Sequence, residues 1–364
     1  LKSSLSVAGA LGSLPLLTSC AGVHRRSFAG FNNSDRIMQD VPSRMKKVLN
    51  YGALAPSGHN TQPWLVKIIS DSELIVQSDQ SRRLPMVDPD NRETFLSLSA
   101  FAETIRLAAR SSSLHAQIEL IANSRKDQNV FKITVKQKPS TGHNDLKLIK
   151  KRSTTRSNYK TRELENHSVM SLMDLDPTHV HYFPLQSQEG KWISENLPKA
   201  LKQQTFNDAK QKELSRWLRF SKDNIEKRHD GLTAEALGMN WMTRFIWYNF
   251  FNRETAMGES FRQKAVETAH DQVKHCSGFL VLTTHNDSLP AHYECGKLYQ
   301  QTGLKLTELG IVHHTMSQLL EEEPWSSQIR TQLNLDDPVQ FVIRVGYGEK
   351  ARPSIRRPAK SFVI

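Results

Sequence analysis

Short apolar runs and long amphipathic segments are interleaved in this chain, without the regular strand–helix–strand alternation of a parallel α/β sheet. That pattern predicts an α+β layered sandwich, with the best internal boundary at 139–144. In chain order, the predicted elements are a helix from an N-cap Ser43 to Pro56, strands at 64–69 and 73–78, an apolar helix through 95–107, strands at 130–136, 179–183 and 278–282, a helix at about 294–320 and a strand at 339–345.

Two common nucleotide-binding motifs are missing from the sequence. No Gly-x-Gly-x-x-Gly follows a predicted strand, and no Gly-x-x-x-x-Gly-Lys-Ser/Thr occurs, so neither a Rossmann nor a P-loop site is supported. The three cysteines form no Cys-x-x-Cys pair and cannot build a disulfide framework, which excludes a structural zinc ribbon.

The chain of 364 residues is long enough for two domains, and its net charge of +12 requires an explanation. The candidate explanations are an anionic ligand, nucleic acid, an anionic membrane surface or solubility alone. Lysines are scattered, and an acidic run stands at 321–323, so a single basic stripe for nucleic acid is not expected.

The first 20 residues are typical of an export signal. From Ser3 to Ser19 the sequence is uncharged and rich in Leu, Ala, Gly and Ser, and it ends in Leu-Thr-Ser-Cys20, which resembles a bacterial lipobox. We expect a signal segment at 1–20, a linker at 21–40, and a periplasmic or lipid-anchored protein whose only membrane contact is through Cys20. The absence of Met at position 1 suggests a chain truncated at its start. The alternative is an apolar segment packed on a cytoplasmic domain.

The most specific stretch is 55–64, Ala-Pro-Ser-Gly-His-Asn-Thr-Gln-Pro-Trp. Pro56 fixes the exit from a helix, and Gly58 allows close approach of a ligand to the backbone. Asn60 and Gln62 each offer a donor and an acceptor, which suits the edge of a heterocycle or a polyol. By residue chemistry alone, a structural turn with satisfied side chains is the favoured explanation of the stretch.

This stretch resembles the flavin-binding loop of the nitroreductase family. Matching segments follow in the family's order, at 81–85, 88–93, 151–156, 296–321, 344–348 and 356–358. Together they resemble the Acg-like branch, in which two nitroreductase-like halves are fused, over about 41–364 apart from the middle of a charged insertion.

The resemblance implies a first half at 41–143 and a second half at 144–364, with a helical insertion at about 190–270. The halves would form an intramolecular pseudo-dimer, so the protein would be a monomer with one complete FMN site and one degenerate site. An aromatic run at 241–251 would be either the buried face of a helix or a lid over the flavin.

The resemblance also implies the residues that bind FMN. Arginines of the second half would neutralise the phosphate, the loop would hold the ribityl chain and ring edge, and a backbone N–H between 316 and 318 would face flavin N5. The alternatives are a solvated basic face for the arginines and an ordinary helix end at 315–318. The predicted cofactor-binding residues are Pro56, Ser57, Gly58, Asn60, Gln62, Arg152, Ser153, Arg156, Thr315, Met316, Ser317, Gln318, Arg356 and Arg357.

The function implied by this resemblance is an FMN-dependent oxidoreductase. Electrons would pass from NAD(P)H, or from another reductant in an exported protein, to a nitroaromatic or quinone-like acceptor. No side chain is predicted to be a catalytic acid or base. The alternative is a non-catalytic protein that binds or stores FMN under a lid.

Several histidines and cysteines lie close together along the chain. His313–His314, His270 with His275, and His292 with Cys295 lack a full tetrahedral ligand set, so no metal site is predicted. Cys276 precedes an apolar strand and is expected to be an inert core thiol.

Overall fold

The computed structural model describes residues 41–138 and 145–364. The predicted signal segment, the linker and the boundary at 139–144 lie outside the described residues, and the proposals made for them stay predictions. Within the described part, no helix combines the length and hydropathy needed to cross a bilayer.

The first sheet has four antiparallel strands in the order β1-β2-β4-β3. They are β1 (Trp64–Ile68), β2 (Glu73–Ser78), β3 (Leu114–Leu120) and β4 (Asn129–Gln137). Helix α1 (Ser43–Gly52) precedes β1, and α2 (Arg92–Arg110) connects β2 to β3 and packs on the sheet. In the core of this part, Trp64 stacks on Phe101 of α2 with ring centroids 4.6 Å apart.

The second sheet repeats the strand order of the first, as β5-β6-β8-β7, again antiparallel. Its strands are β5 (Val180–Pro184), β6 (Gly278–Thr283), β7 (Val312–Thr315) and β8 (Val339–Gly346). After α3 (Asp145–Lys151), helix α4 (Asn166–Met173) precedes β5, and α10 (Leu289–Glu308) connects β6 to β7 as α2 does in the first sheet. Two short helices, α11 (Gln318–Glu321) and α12 (Trp325–Gln332), lead into β8.

Helices α2 and α10 pack against each other and join the two sheets into one layered body. Gly296 of α10 permits this contact, because a Cβ there would lie 2.4 Å from Ser99 Cβ and 2.7 Å from the carbonyl oxygen of Leu96. The layers therefore run sheet, α2, α10, sheet. The prediction of an α+β layered fold is confirmed.

Five helices are inserted between β5 and β6. They are α5 (Gln188–Phe206), α6 (Asp208–Trp217), α7 (Lys222–Arg228), α8 (Trp241–Phe250) and α9 (Glu259–Lys274). This insertion has its own apolar centre, in which buried Trp247 stacks on Phe220 at 4.8 Å and donates to the carbonyl of Arg219 at 2.8 Å. Trp241, Phe245 and Phe250 are exposed, so only part of the aromatic run is a buried helix face.

The C-terminal tail returns to the first sheet. The N–H of Val66 donates to the carbonyl of Phe362 at 2.7 Å, and Ile364 N–H donates to the carbonyl of Val66 at 2.9 Å. Phe362 is fully buried against Phe101. The tail thereby carries the 351–364 segment from the second sheet across to the first.

The predicted helix at 294–320 is wrong in its C-terminal half. Helix α10 ends at Glu308, Gly310 adopts a left-handed φ of 71°, and Ile311 N–H donates to the carbonyl of Leu306 at 2.9 Å. This is a glycine-terminated helix end. Residues 312–315 then form β7, so the segment predicted to follow the flavin ring begins on an edge strand.

Two further predictions are corrected by the structure. Ser43 is the first helical residue, and the N-cap position belongs to Pro42, whose side chain cannot accept a capping bond. Strand β3 was not predicted, although its exposure alternates from Leu114 to Glu119. Apart from β3 and β7, the strands lie within one or two residues of their predicted limits.

Candidate functional site

The 56–63 loop has a strained backbone that its surroundings hold in place. His59, Asn60 and Gln62 have positive φ values of 48°, 55° and 54°, which non-glycine residues seldom adopt. Ser57 Oγ accepts the N–H of Gln62 at 3.0 Å. Asn60 Nδ2 donates to the carbonyl of Gly231 at 2.9 Å, so the insertion fixes the loop from outside.

The side chain of Gln62 ties three segments together. Its Nε2 donates to the carbonyl of His229 at 2.9 Å, and its Oε1 accepts the N–H of Arg357 at 2.8 Å. Both ends of this amide are therefore used by the insertion and the tail. Asn60 differs, because its Oδ1 is buried and has no hydrogen-bond partner among the described residues.

Arg152 is a buried cation at the end of α3. Its side chain is 3% exposed, its Nε has no partner, and it forms no ion pair with any carboxylate in the described ranges. Burial lowers the pKa of Arg152. Lys350 has its pKa lowered by burial and then by the charges of Arg152 and Lys151, so two cations meet here.

The hydroxyl of Ser153 adds an unused donor beside Arg152. Ser153 is 4% exposed, and its Oγ lacks a hydrogen-bond partner in the described part of the chain. Uncompensated charge in the interior is costly. The pair therefore forms a site suited to an anion with several acceptor oxygens.

Arg156 lies under the insertion. It donates to the carbonyl of Ala236 at 2.7 Å, while its own carbonyl accepts Gln272 Nε2 at 2.5 Å. Burial lowers the pKa of Arg156 to about 10. Arg344 lies near it, with its guanidinium 3.9 Å from the ring centre of Tyr159.

Strand β7 places two neutral imidazoles against these cations. Burial, followed by the charges of Arg152 and Lys350, lowers the pKa of His313 to about 3. The pKa of His314 is also well below its usual value, because of burial and then Arg156. At neutral pH, these two histidines therefore add hydrogen-bonding atoms to the site without adding positive charge.

Two carboxyl groups, Glu93 of α2 and Glu321 of α11, lie next to each other. Burial and the neighbouring charge of hydrogen-bonded Glu93 raise the pKa of Glu321 well above its usual value. Glu93 belongs to the first turn of α2 and Glu321 to α11, and Gln204 Nε2 donates to Glu321 Oε2 at 2.5 Å. The raised pKa favours the protonated form of Glu321 beside Glu93, as expected for a carboxyl close to a like charge.

This carboxyl pair adjoins the 56–63 loop. A Cβ on Gly58 would lie 3.1 Å from Glu93 Oε2. Burial lowers the pKa of His59, Glu93 opposes that shift, and Arg156 adds to it. The structure thus brings the loop, Glu93 and Arg156 together, although only the loop and Arg156 were singled out from the sequence.

The 315–318 segment contributes a mixture of used and unused polar groups. Met316 is buried, and its N–H donates to the carbonyl of Val342 at 2.8 Å. Thr315 Oγ1 is 2.8 Å from the hydroxyl of Tyr299. Gln318 Oε1 is buried without a hydrogen-bond partner among the described residues. An N–H from this segment that faces a ligand would therefore come from Ser317 or Gln318.

The predicted arginines fall into two groups. Arg357 donates to the carbonyl of Trp64 at 2.7 Å, lies 3.8 Å from Asp79, and has its pKa lowered to about 10 by burial and Arg82. Arg356 is half-buried and donates to the carbonyl of Ile355. Arg357 supports the loop from the tail side, whereas Arg152 and Arg156 lie with Tyr299 on the β7 side.

Sequence reasoning missed several residues of this site. Glu93 stood in a family-like segment and His59 in the loop itself, yet neither was chosen. Tyr299 and Glu321 stood in the family-like 296–321 segment, but their three-dimensional contacts are what single them out there. Pro56 is buried at the start of the loop, as its position after the first helix suggests.

This chain is similar to solved structures of nitroreductases. A nitroreductase with bound FMN from Bacteroides fragilis is 14% identical, with a TM-score of 0.33 and coverage of 57% of this chain and 89% of that chain. An FMN-dependent nitroreductase from Mycobacterium smegmatis in complex with NADPH is 15% identical, with a TM-score of 0.35 and coverage of 56% and 86%.

A nitroreductase-like family protein from Bacillus cereus is 14% identical, with a TM-score of 0.34 and coverage of 60% of this chain and 92% of that chain. No protein-family model matches the sequence. No curated protein matches it either.

Proposed function

We propose that this protein is an FMN-dependent oxidoreductase of the nitroreductase type, which passes electrons from NAD(P)H or another reductant to a nitroaromatic or quinone-like acceptor. The observation that carries the proposal is Arg152, a buried arginine with an unused Nε and no ion-paired carboxylate in the described part of the chain. It stands at the position where the sequence resembles the family's phosphate-binding segment.

The unused groups fit the chemistry of FMN. Arg152 and the Ser153 hydroxyl would hold the phosphate, with Lys350 contributing charge nearby. Asn60 Oδ1 and Gln318 Oε1 are buried acceptors that would receive hydrogen bonds from ribityl hydroxyls or the ring N–H. When bound, FMN supplies the hydride and electron chemistry.

Other residues of the chain would support the site without contacting FMN. Gln62 and Arg357 are committed to each other and to backbone carbonyls, so they fix the loop against the tail. The Glu93–Glu321 pair would keep one proton next to the loop. We propose that this pair sets the local charge at the ring and holds an exchangeable proton there.

The pseudo-dimer proposal is supported by the repeated strand order and by the α2–α10 contact. Residues from both sheets' regions lie near one another, since Glu93 and the loop come from the first and Arg152, Arg156 and Glu321 from the second. One such site per chain would let a single copy bind FMN.

A second candidate function is FMN binding without efficient turnover. It is favoured by the insertion, whose backbone carbonyls at His229, Gly231 and Ala236 accept hydrogen bonds from Gln62, Asn60 and Arg156. An insertion that is bonded to the loop in this way would restrict access to the flavin. Rapid mixing of the FMN-loaded protein with NADH and with NADPH separates the two functions. Loss of the flavin absorbance supports the oxidoreductase, and no loss with either donor supports storage.

The test of FMN binding uses the absorbance spectrum of the purified protein and of two variants. We expect near-stoichiometric FMN in the parent protein and in Lys151→Met, which removes a charge from the adjacent exposed side chain. Arg152→Met should lose most of the bound FMN while keeping its circular dichroism spectrum. Equal FMN content in both variants, or a parent protein that cannot be reconstituted, would refute the site.

Export and lipidation through Cys20 form a separate proposal, supported by the uncharged 3–19 segment and the lipobox-like end. Cells expressing the full chain are labelled with a radioactive fatty acid. Label in the parent protein and none in Cys20→Ser is the expected outcome, and an unlabelled parent protein would contradict it.

A further inference from the structure

Three potential metal ligands meet at one edge of the second sheet. His179 directly precedes β5, His285 lies two residues after β6, and Asp337 lies two residues before β8. Because β5, β6 and β8 are neighbours and antiparallel, the start of β5, the end of β6 and the start of β8 share an edge.

Backbone hydrogen bonds fix these three positions. The N–H of Thr283 donates to the carbonyl of His179 at 3.0 Å, and Thr284 N–H donates to the carbonyl of Pro338 at 3.0 Å. These bonds lie next to His285 and Asp337 in the chain. The backbone hydrogen bonds between neighbouring strands therefore bring His179, His285 and Asp337 close together.

The ligand atoms are spaced for a single small ion. His179 Nε2 lies 3.8 Å from Asp337 Oδ2, and His285 Nδ1 lies 3.9 Å from Asp337 Oδ1. One atom from each of the three residues lies within 4.8 Å of the others. Metal–ligand bonds of about 2.0–2.1 Å place tetrahedral ligands about 3.3 Å apart. The His179–Asp337 and His285–Asp337 distances would therefore need to shorten by roughly half an ångström for these side chains to coordinate the ion.

A fourth residue orients His179 toward this point. Asp176 Oδ2 lies 2.9 Å from His179 Nδ1, and Asp176 Oδ1 accepts the backbone N–H groups of Thr178 and His179. A carboxylate on one ring nitrogen leaves the other with its lone pair, as in carboxylate–histidine–metal arrangements. His179 Nε2 is indeed buried and without a hydrogen-bond partner among the described residues.

An ordinary hydrogen-bonded cluster does not account for this geometry. At 3.8 and 3.9 Å, the contacts of Asp337 with the two imidazoles are too long for hydrogen bonds. The nearby His181 does not belong to this group of ligand atoms, and its Nε2 lies 3.1 Å from Thr283 Oγ1. Lys297, the cation of the neighbouring cavity, is paired with Glu294 at 2.5 Å.

We propose that His179, His285 and Asp337 bind a divalent transition metal of the Zn²⁺ class. Two imidazoles and one carboxylate suit such a metal better than Mg²⁺ or Ca²⁺, which prefer oxygen ligands. Three protein ligands leave a fourth position for water or a small anion. That position would open on a cavity of about 700 Å³, lined by Asp176, Thr178, His179, Thr283, His285 and other residues.

The test uses tag-free protein, stripped of metal with a chelator and then titrated with Zn²⁺ by calorimetry. One saturable equivalent is expected, along with a rise in melting temperature. Co²⁺ in place of Zn²⁺ should give the visible absorption of a four-coordinate nitrogen–oxygen site. The titration is repeated on FMN-loaded protein, where the same stoichiometry is expected because no proposed FMN ligand takes part.

Three variants make the test specific. His285→Ala removes a ligand whose side chain is 81% exposed, so folding should be retained while saturable binding is lost. Asp176→Asn keeps every ligand but loosens His179, and it should weaken binding roughly 10–100-fold. His167→Ala is the matched control, because His167 is an exposed histidine 3.5 Å from a single carboxylate, Glu165. Equal binding in the His285 and His167 variants, or no saturable binding in the parent protein, would overturn the proposal.

Discussion

Arg156→Met should change stability and FMN affinity in opposite directions. Burial lowers the pKa of Arg156 from 12.5 to about 10. At pH 7 the guanidinium is charged in both states, and burial of that charge lowers the free energy of unfolding. That difference corresponds to about 3 kcal/mol, or about 2 kcal/mol after allowing for the part of the side chain that reaches solvent. Losing the bond to the carbonyl of Ala236 costs about 1 kcal/mol. The flavin-free variant should therefore be about 1 kcal/mol more stable at pH 7.

FMN binding should become weaker in the same variant. A charge-assisted hydrogen bond to the bound flavin contributes roughly 1.5–3 kcal/mol, which corresponds to about 10–150-fold in the dissociation constant. Urea unfolding of the flavin-free protein, followed by tryptophan fluorescence, gives the stability. Quenching of FMN fluorescence on titration gives the affinity.

Arg219→Met is the matched control for this experiment. Arg219 is also buried, but it is paired with Asp230 at 2.5 Å. Its removal should destabilise the protein by about 2 kcal/mol, because buried Asp230 loses Arg219 and keeps Arg82, at 2.8 Å, as a charged partner. Similar destabilisation in both variants would refute the idea that Arg156 is uncompensated. An unchanged FMN affinity in Arg156→Met would refute its place in the site.

Two further predictions concern the carboxyl pair and the helix contact. Because the folded-state pKa of Glu321 is raised, the unfolding free energy should fall as pH rises above the usual value of about 4.5, until the folded-state pKa is passed. Glu321→Gln should reduce that slope in urea titrations at a series of pH values, and an unchanged slope would contradict the shared proton. Gly296→Ala should destabilise the protein by about 1–3 kcal/mol, since its Cβ would meet Ser99 Cβ at 2.4 Å. Thermal melts measure this, and an unchanged melting temperature would show that α2 and α10 are not in such close contact.

The sequence predicted those elements whose physics is local. Helix α2 has apolar residues at helical spacing, and β6 is a continuous apolar run, so each must be buried by whatever packs on it. The error at 294–320 was also local in origin. Leu309-Gly310 carried the signal of a helix end, but the apolar residues that follow it were assigned to the same helix.

The candidate site was only partly visible in the sequence. Arg152 and Arg156 could be named because a basic residue at a matching position suggests an anion. Whether each arginine has a carboxylate partner depends on distant segments, and so the contrast between Arg152 and paired Arg219 could not be predicted. The same holds for Gln62, whose amide chemistry permits a ligand contact but whose neighbours use both of its ends.

What the sequence alone determined is the α+β composition, the presence of a polar loop at 56–63 and the set of charged residues available for binding. Tertiary structure decided which of these residues meet. Glu93 lies close enough to Glu321 to raise the pKa of that carboxyl, and His179, His285 and Asp337 face one point, only because antiparallel ladders and the α2–α10 contact place distant segments side by side. Proximity between such segments depends on how the sheets and helices pack, and residue type and spacing along the chain do not specify it.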